Sequence, residues 1–553
     1  MFTKRSAPYS EELPASKRLR TNLADLFLTN TLPGNRAQSL FTDAHLAGAD
    51  HFDDLHRTGS GKNAARNLRA KLMRKLSWPS LYYAPIRLWD PRAQREVIQH
   101  LPFLLPHEIL HVLAEHNTKE ALLQQTAMSA GTKERLLKAQ AELGIADLCA
   151  LGIWGDGVPA NWDRTESYEV LALSLPGIHN FRVPLTVVSK KFWVTRKTSD
   201  DMFAVLSWSL SCSITGYFPL QRHDDSKWMR SDSWRRSRQG RQLEARGVVA
   251  EIRADWVWLA SCFRMPPHNA KANNCYKCHC KGDECRDSSL NAPWRGSAWS
   301  HWDMMASWLQ RGVGVCPLWS APTVSIDCII IDWLHCSDLG VGCFFLGNLL
   351  WACMPKVAAA GASRSTQCSA MYLVMKEFYS RQSPRVTEYD TLVPTMLKQP
   401  KQGPKLRGRG SEVRGLIGFG LEISERYLSS QDPVESTIKH AARMLSCIYN
   451  HLSRGSFDAP LLGVQARQFL GLYAALSGAH PDSLLWRIRA KMHIWLHLCE
   501  SGDNPADTWC YRDEDFGGAI AGLARRRGGK NAPRASAERV LRSFCAKHGV
   551  PRF

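Results

Sequence analysis

The chain has 553 residues, a hydrophobic content of 44% and a formal net charge of +20. These values predict a folded protein of one large or several ordinary domains, and the positive charge favours a polyanionic partner, above all nucleic acid. The N-terminus lacks the apolar region of a secretory signal, and no apolar run reaches the roughly 18 residues of a membrane span. We therefore expect an intracellular protein whose 17 cysteines are thiols or metal ligands rather than a disulfide scaffold.

The N-terminal third is predicted to be a tail followed by helices. Residues 1–75 are polar and basic without a periodic apolar pattern, which predicts a disordered basic tail with one helix at 62–76. Within it, residues 17–20 read Lys-Arg-Leu-Arg, a cluster that favours nuclear localisation or phosphate binding. Residues 76–147 are predicted to form a helical N-terminal region.

A literal H-E-x-x-H pattern lies in this helical region. On a helix, His107 and His111 would share a face and hold zinc, with Glu108 as the base of a peptidase. Pro106 places the pattern in the first helical turn, and the apolar residues between and after the histidines are typical of a helix packed on a core. The peptidase is therefore the less favoured reading.

The middle of the chain predicts a mixed sheet. Three β-rich runs within 148–193 predict an antiparallel meander, an amphipathic helix follows at Ser199–Cys212, and further strands are predicted at Gly247–Arg253 and Cys328–Leu334. This order is that of a ribonuclease-H-like sheet in an α/β (α+β) protein, because it mixes hairpin and crossover connections. The predicted segments are 148–260 for the first part of the core, 261–325 for a cysteine-rich zinc-knuckle insertion, 326–430 for the rest of the core with a Pro/basic linker, 431–500 for a helical domain and 501–553 for a basic tail.

Two acids follow strands that neighbour each other in such a sheet. Asp156 ends the first strand and Asp255 ends the fourth. Carboxylates at adjacent strand ends can bridge two divalent cations about 4 Å apart, as phosphoryl chemistry requires. Hard oxygen ligands favour Mg²⁺ or Mn²⁺.

Several short segments, in order, resemble one family. They are GIWGD at 152–156, ADW at 254–256, CYKC at 275–278, DWLH at 332–335, LGV at 339–341 and KLRGRGSEVRGLIGF at 405–419. Together they resemble cut-and-paste DNA transposases of the CACTA (En/Spm) and Plavaka-like type, over roughly residues 150–450. The resemblance implies a DDE triad that cleaves DNA at transposon ends and transfers the strand to target DNA. The alternative is a domesticated copy that binds DNA and zinc without cutting.

The resemblance carries the first two members of the triad over to Asp156 and Asp255, and a helical glutamate to Glu412. Glu377 and Glu422 remain alternatives for the third acid. The stretch around Glu412 departs from the family pattern, because valine follows the glutamate where an aromatic residue is usual.

A cysteine pair predicts structural zinc. Cys275 and Cys278 have the spacing of one half of a tetrahedral site. The resemblance favours His335 as a further ligand, whereas Cys280 and Cys285 offer a local four-cysteine alternative. A loop of free thiols without a metal is the third possibility. Asp332 either binds the catalytic metal or orients His335 as an outer carboxylate; we favour orientation.

Two basic stretches are candidate phosphate contacts. Residues 222–246 combine arginines with tryptophans that could stack on bases, and residues 398–414 alternate prolines with basic side chains. We expect DNA as the partner, with self-association into a homo-oligomer as an open alternative. The predicted nucleic-acid contacts are Arg235, Arg236, Arg238, Lys405, Arg407 and Arg409.

Overall fold

The computed structural model describes residues 14–28, 32–56, 63–74, 78–159, 165–268, 275–452, 457–525 and 532–553. These residues form a mixed α/β fold. The strands are β1 (Tyr82–Asp90), β2 (Arg95–Phe103), β3 (Cys149–Pro159), β4 (Ser167–Ser174), β5 (Arg182–Ser189) and β6 (Gly247–Arg253).

Helices account for most of the remaining described residues. In chain order they are α1 (Ala15–Leu28), α2 (Gly34–Leu46), α3 (Ala64–Arg74), α4 (Pro106–His116), α5 (Lys119–Leu123), α6 (Ala130–Leu143), α7 (Lys197–Thr215), α8 (Ser233–Arg236), α9 (Trp256–Cys262), α10 (His301–Gln310), a π-helix (Leu334–Gly342), α11 (Cys343–Val357), α12 (Arg364–Ser380), α13 (Pro394–Leu397), α14 (Gly410–Gly415), α15 (Ile417–Tyr427), α16 (Pro433–Asn450), α17 (Ala459–Gly478), α18 (Ala490–Cys499), α19 (Pro505–Thr508), α20 (Tyr511–Arg525) and α21 (Pro533–Lys547).

The central sheet has four strands in the order β5-β4-β3-β6. The pairs β5–β4 and β4–β3 are antiparallel, whereas β3 and β6 are parallel. Side chains alternate between the two faces of a strand. Ala150 packs with α6 and Trp154 with α20, while Leu151 and Ile153 join the large core that includes α4 and α7. Both faces of the sheet are therefore covered, which explains why its strands read as continuous apolar runs.

The predicted fifth strand, Cys328–Leu334, is reduced to one bridge. Ile329 pairs in parallel with Ile252 of β6, and the amide of Ile330 donates to the carbonyl of Ile252 at 2.9 Å. The carboxylate of Asp332 then accepts the amides of Leu334 and His335, at 3.2 and 3.0 Å. These bonds begin the π-helix and so end the extended segment after a single ladder contact.

The region 76–147 is not wholly helical as predicted, because it opens with a hairpin. β1 and β2 pair antiparallel from Tyr82↔Phe103 to Asp90↔Arg95. Alternate residues of β1, including Ile86 and Leu88, are buried, and this period of two is the strand signal that a helical reading of the segment overlooks.

The described part of 1–75 is not the disordered tail that its composition predicts, and the described part of 501–553, predicted as a basic tail, is largely helical. In the described part of 1–75, α1, α2 and α3 enclose a small core that includes Phe27, Phe41 and Leu68, and Arg20 of the basic cluster pairs with Asp54. In the described part of 501–553, α20 packs on β3, and α21 packs on β2, β5 and α1. Helix α21 thus connects the N-terminal helices to the sheet.

The π-helix and α11 run on as one helical stretch, Leu334–Val357. By length and composition this stretch could cross a membrane, but 78% of its most apolar window is buried inside the fold. Such burial fits a helix at the centre of a folded core. Helices α15, α16, α17 and α18 pack around this stretch and one another.

Candidate active site and zinc centre

The register of the parallel pair brings Asp156 and Asp255 together. Trp154 of β3 pairs with Arg253 of β6, and each acid lies two residues further along its own segment. Parallel neighbours are about 4.8 Å apart, so the two acids lie side by side. Asp156 does not end its strand as predicted, because β3 continues to Pro159 and Asp156 pairs with Val170 of β4. After burial, the charge of Asp255 is the largest cause that raises the pKa of Asp156.

Local contacts fix the position of both acids. The Asp255 carboxylate caps α9 by accepting the amide of Trp258 at 2.5 Å, and Asp156 accepts the amide of Gly157 at 2.7 Å. The Trp258 ring lies directly on Gly155, where a Cβ would come within 2.1 Å of it. A glycine before Asp156 is therefore required if the α9 segment is to approach β3 this closely.

The third acid beside these two is Glu514, in the first turn of α20. Its carboxyl is hydrogen-bonded to that of Asp156, and burial together with the Asp156 charge raises the pKa of Glu514 to about 8. Helix α20 crosses β3 at Gly517, where a Cβ would lie 2.6 Å from the Trp154 ring. The structure thus brings together acids from β3, from the end of β6 and from α20.

Three residues just before Glu514 anchor the start of α20. The Asp332 carboxylate accepts the amide of Cys510 at 2.8 Å, and Asp338 accepts the hydroxyl of Tyr511 at 2.7 Å. Asp513 forms an ion pair with Arg182 at 2.6 Å. Because these neighbouring residues are held in place, the backbone position from which the Glu514 side chain extends is fixed.

His335 belongs to the acid cluster rather than to a zinc site. Its Nδ1 lies 2.6 Å from Asp332 Oδ2 and its Nε2 lies 3.9 Å from Glu514 Oε1. Burial lowers the pKa of His335, but the hydrogen bond to Asp332 and the nearby acids outweigh it and raise the pKa to about 9. Asp332 therefore has the orienting contact, and His335 places a positive charge beside the acids.

The structure does not bring Glu412 to this cluster. Its carboxylate accepts the amide of Arg409 at 2.6 Å, at the start of α14. The alternatives Glu377 and Glu422 lie at the surface, 3.9 Å from Arg426 and 2.7 Å from Arg381, respectively. The available sequence signal for Glu514 was an acid in the first turn of a small-residue helix, DEDFGGAIAG.

A second cluster has the composition of a zinc site. Its members are Cys275, Cys278, His493 and His497, whose ligand atoms all lie within 4.8 Å of one another. Cys278 Sγ is 3.2 Å from His493 Nε2 and 3.4 Å from His497 Nε2, and the two Nε2 atoms are 3.2 Å apart. Zinc bonds of 2.0–2.3 Å in a tetrahedron separate ligand atoms by roughly 3.3–3.8 Å, so the four side chains fit this metal.

The electrostatics of this cluster favour a thiolate. Burial raises the pKa of Cys275, but hydrogen bonds from Cys278, His493 and His497 outweigh burial and hold it well below its usual range. The two histidines lie four residues apart on one face of α18. Sequence reasoning found the cysteines and missed these partners, because α18 is buried and apolar and reads as a core helix.

Cys280 and Cys285 do not complete a four-cysteine site, because they are joined by a disulfide. They nevertheless lie beside Cys275, Cys278, His493 and His497, which are called the zinc set below. Both sulfurs and a ring nitrogen of His493 are within 4.8 Å of one another. The remaining cysteines are free thiols in the structure.

A cleft of about 860 Å³ opens beside Asp255 and His335. Basic side chains line it, and it is called the basic cleft below. They are Arg286, Lys401, Lys405, Arg487, Arg489 and Lys491. Of the predicted nucleic-acid contacts, Lys405 lies in this cleft.

The other predicted contacts are placed differently. Arg235 is buried and forms an ion pair with Glu108 at 2.6 Å, so it cannot reach a phosphate. Arg238 stacks over the Trp234 ring at 4.2 Å, and Arg407 donates to the backbone carbonyls of Thr395 and Lys405. Arg236 and Arg409 are exposed.

The H-E-x-x-H pattern is part of the core. The Glu108 carboxylate is held by Arg235, and His107 Nδ1 lies 2.7 Å from the Ser209 hydroxyl on α7. Burial lowers the pKa of His107 to about 3. With its base occupied by an arginine and its helix packed against α7, this segment does not provide a peptidase site.

No family model matches the chain, and no curated protein is similar enough to match it. Function is therefore inferred from the geometry described above.

Proposed function

We propose that this chain is a DNA-cleaving and strand-transferring enzyme of the ribonuclease-H-like DDE type, with Asp156, Asp255 and Glu514 as its metal-binding acids. The observation that carries the proposal is the convergence of these three acids in one cluster. Half-buried carboxylates that lie close together repel one another unless cations or protons neutralise them. A cluster that a fold maintains at this cost is typical of a site for divalent metals.

The ligand chemistry supports magnesium or manganese rather than a softer metal. All three acids offer only carboxylate oxygens, which hard cations prefer. Such a pair of cations, when bound, activates the attacking oxygen and stabilises charge on the phosphate that is cleaved. The chain's own contribution is to hold the acids in position through β3, β6 and α20.

The strand order also supports this fold assignment. The order β5-β4-β3-β6, continued by the Ile252–Ile329 bridge, follows the mixed pattern of three hairpin strands and two parallel ones that the sequence predicts for a ribonuclease-H-like sheet. The resemblance of the chain's segments to CACTA and Plavaka-like transposases points to the same class. The acid on α20 would then be the third member of the triad in place of Glu412.

The Cys275–Cys278–His493–His497 set is proposed to hold structural zinc. Cys275 and Cys278 lie in the insertion that follows β6, and the histidines lie on α18 of the helical part. Four protein ligands close the coordination shell, as in structural sites. Zinc would thus tie the insertion to the helices that also line the basic cleft.

The basic cleft supports DNA as the substrate. Its cations lie next to Asp255 and His335, so a bound phosphate backbone would pass the acid cluster. Lysine and arginine contacts with phosphates provide most sequence-independent affinity. The net charge of +20 favours the same partner.

The test is cleavage of duplex DNA by the full chain with Mn²⁺ or Mg²⁺. We expect nicking that EDTA abolishes, and its loss in Asp156→Asn and Asp255→Asn variants that still bind DNA and keep the wild-type circular dichroism spectrum. Nicking that survives either substitution would refute the assignment. Salt-sensitive DNA binding without any nicking by the wild type would favour the inactive, domesticated alternative.

A further inference from the structure

The zinc set has one unusual feature, which is the second ring nitrogen of His493. The imidazole is 2% exposed, and its Nε2 faces Cys278 and His497. Among the described residues, its Nδ1 is buried without a hydrogen-bond partner. A metal-bound histidine almost always donates its other N–H to an acceptor, and that partner fixes the ring and strengthens the ligand.

The sulfurs of Cys280 and Cys285 and one ring nitrogen of His493 lie within 4.8 Å of one another. Because Nε2 already faces Cys278 and His497, Nδ1 is the nitrogen left to bond with these sulfurs. As a disulfide, the pair offers only weak acceptors. Once reduced, either sulfur can accept an N–H, and a cavity of about 10 Å³ borders Cys285 and His493.

Solvent can reach this pair from the cleft beside the acids. Cys285 is 8% exposed and lines the basic cleft, while Cys280 is fully buried. An oxidant or reductant would therefore meet Cys285 first. Cys275 and Cys278 are buried, and bound zinc would protect them further.

We propose that Cys280 and Cys285 are a reversible thiol–disulfide pair that controls zinc affinity through His493. In the reduced state one of the sulfurs accepts the Nδ1–H of zinc-bound His493. In the oxidised state that acceptor is lost and zinc is held more weakly. The inference rests on the proposed zinc site and is independent of DNA cleavage.

The exchange involves glutathione disulfide or a similar small disulfide. A Cys285 thiolate attacks one sulfur and releases one small thiol, which leaves a mixed disulfide on the protein. The Cys280 thiol then displaces the second small thiol. One protein dithiol and one small disulfide thus give one protein disulfide and two small thiols.

The experiment measures zinc affinity of the full chain by competition with a chromophoric chelator, in the absence of DNA. Zinc-loaded protein is compared after reduction and after oxidation by glutathione disulfide, and peptide mass mapping verifies the Cys280–Cys285 bond. Loss of an outer hydrogen bond of this kind typically costs 10- to 100-fold in metal affinity. We expect the oxidised protein to bind zinc more weakly than the reduced protein by about that factor.

Two double variants separate the hydrogen bond from general damage. Cys280→Ser with Cys285→Ser keeps hydroxyl acceptors, so it should bind zinc like the reduced wild type in both conditions. Cys280→Ala with Cys285→Ala has no acceptor and should match the oxidised wild type in both. Cys447→Ser, which changes a thiol outside the zinc set, should keep the wild-type response.

Equal zinc affinity in the two wild-type states would overturn the redox coupling while leaving the zinc site intact. Tight zinc binding by the alanine variant would overturn it as well, and so would zinc loss on oxidation of the serine variant, because that loss would come from the ligands themselves. Failure of every form to bind zinc would overturn both the coupling and the proposed zinc site.

Discussion

The carboxyl group of Glu514, near the end of the chain, is hydrogen-bonded to that of Asp156 on the central strand β3. This contact makes the first turn of α20 part of the same cluster as Asp156 and Asp255. It also explains the raised pKa of Glu514, because two half-buried carboxyls this close do not both ionise readily. Metal binding would replace the shared proton.

The zinc assignment predicts which histidines matter. His497→Ala should lose bound zinc, because it removes one of four ligands. His335→Ala should retain zinc, since its imidazole contacts Asp332 and Glu514 instead. Plasma mass spectrometry on dialysed protein measures the zinc content per chain and so distinguishes the two variants. Equal zinc content in both variants would contradict the assignment.

The buried ion pair of Arg235 and Glu108 predicts a stability effect. Arg235→Ala leaves the Glu108 carboxylate buried without its partner, which costs about 3–5 kcal/mol. The adjacent, exposed Arg236→Ala should change stability by less than about 0.5 kcal/mol. Denaturation midpoints of the two variants check this. A stable Arg235→Ala protein with weakened DNA binding would instead restore Arg235 as a phosphate contact.

The basic cleft predicts where DNA binds. Lys401→Ala combined with Arg487→Ala should weaken binding to any duplex and reduce the slope of log K against log salt by about 2, roughly one for each lost phosphate contact. Arg236→Ala, exposed but outside the cleft, is the matched control. Fluorescence anisotropy over a salt series gives both slopes. A larger loss in the control would place the DNA elsewhere.

Asp338 predicts a pH dependence. Burial raises its pKa from 3.8 to about 6. Because the folded state binds this proton more tightly, the carboxyl costs stability progressively as pH rises from about 4 to 6, and the full cost remains above that range. The total is on the order of 3 kcal/mol.

The comparison is with Asp338→Asn, which does not ionise and keeps one of the two side-chain oxygens that accept from Tyr449 and Tyr511. The stability of the wild type relative to the variant should therefore fall between pH 4 and pH 6. Chemical denaturation at several pH values measures this difference. Parallel profiles for the two proteins would show that the carboxyl is not buried as described.

The proximity of Asp156 and Asp255 could be predicted from sequence, because the parallel strands that lead to them are neighbours in the sheet. Asp156 and Asp255 each follow an apolar run, and the register of β3 with β6 brings the two residues together. The third acid could not be predicted in this way, since periodicity does not reveal which helix crosses a given strand. That depends on Gly517 meeting the Trp154 ring, a contact between distant parts of the chain.

The candidate zinc site shows the same difference between information that is local in the sequence and information that is not. The two cysteines are close in sequence and carry their own signal. Their partners, His493 and His497, lie on a helix whose burial reads as core packing. The β1–β2 hairpin differs from the sequence prediction for another reason. The alternation of buried and exposed residues in β1 lies within a longer segment that is predicted to be helical.

The most direct measurement compares Glu514→Gln with Glu412→Gln in Mn²⁺-dependent nicking of duplex DNA. Both substitutions keep the size of the side chain and remove a carboxyl group that could bind a metal ion. We expect Glu514→Gln to lose at least about 100-fold in rate, more than loss of an outer contact costs, and Glu412→Gln to stay near the wild type. Full activity in Glu514→Gln, or a loss confined to Glu412→Gln, would contradict the proposed triad.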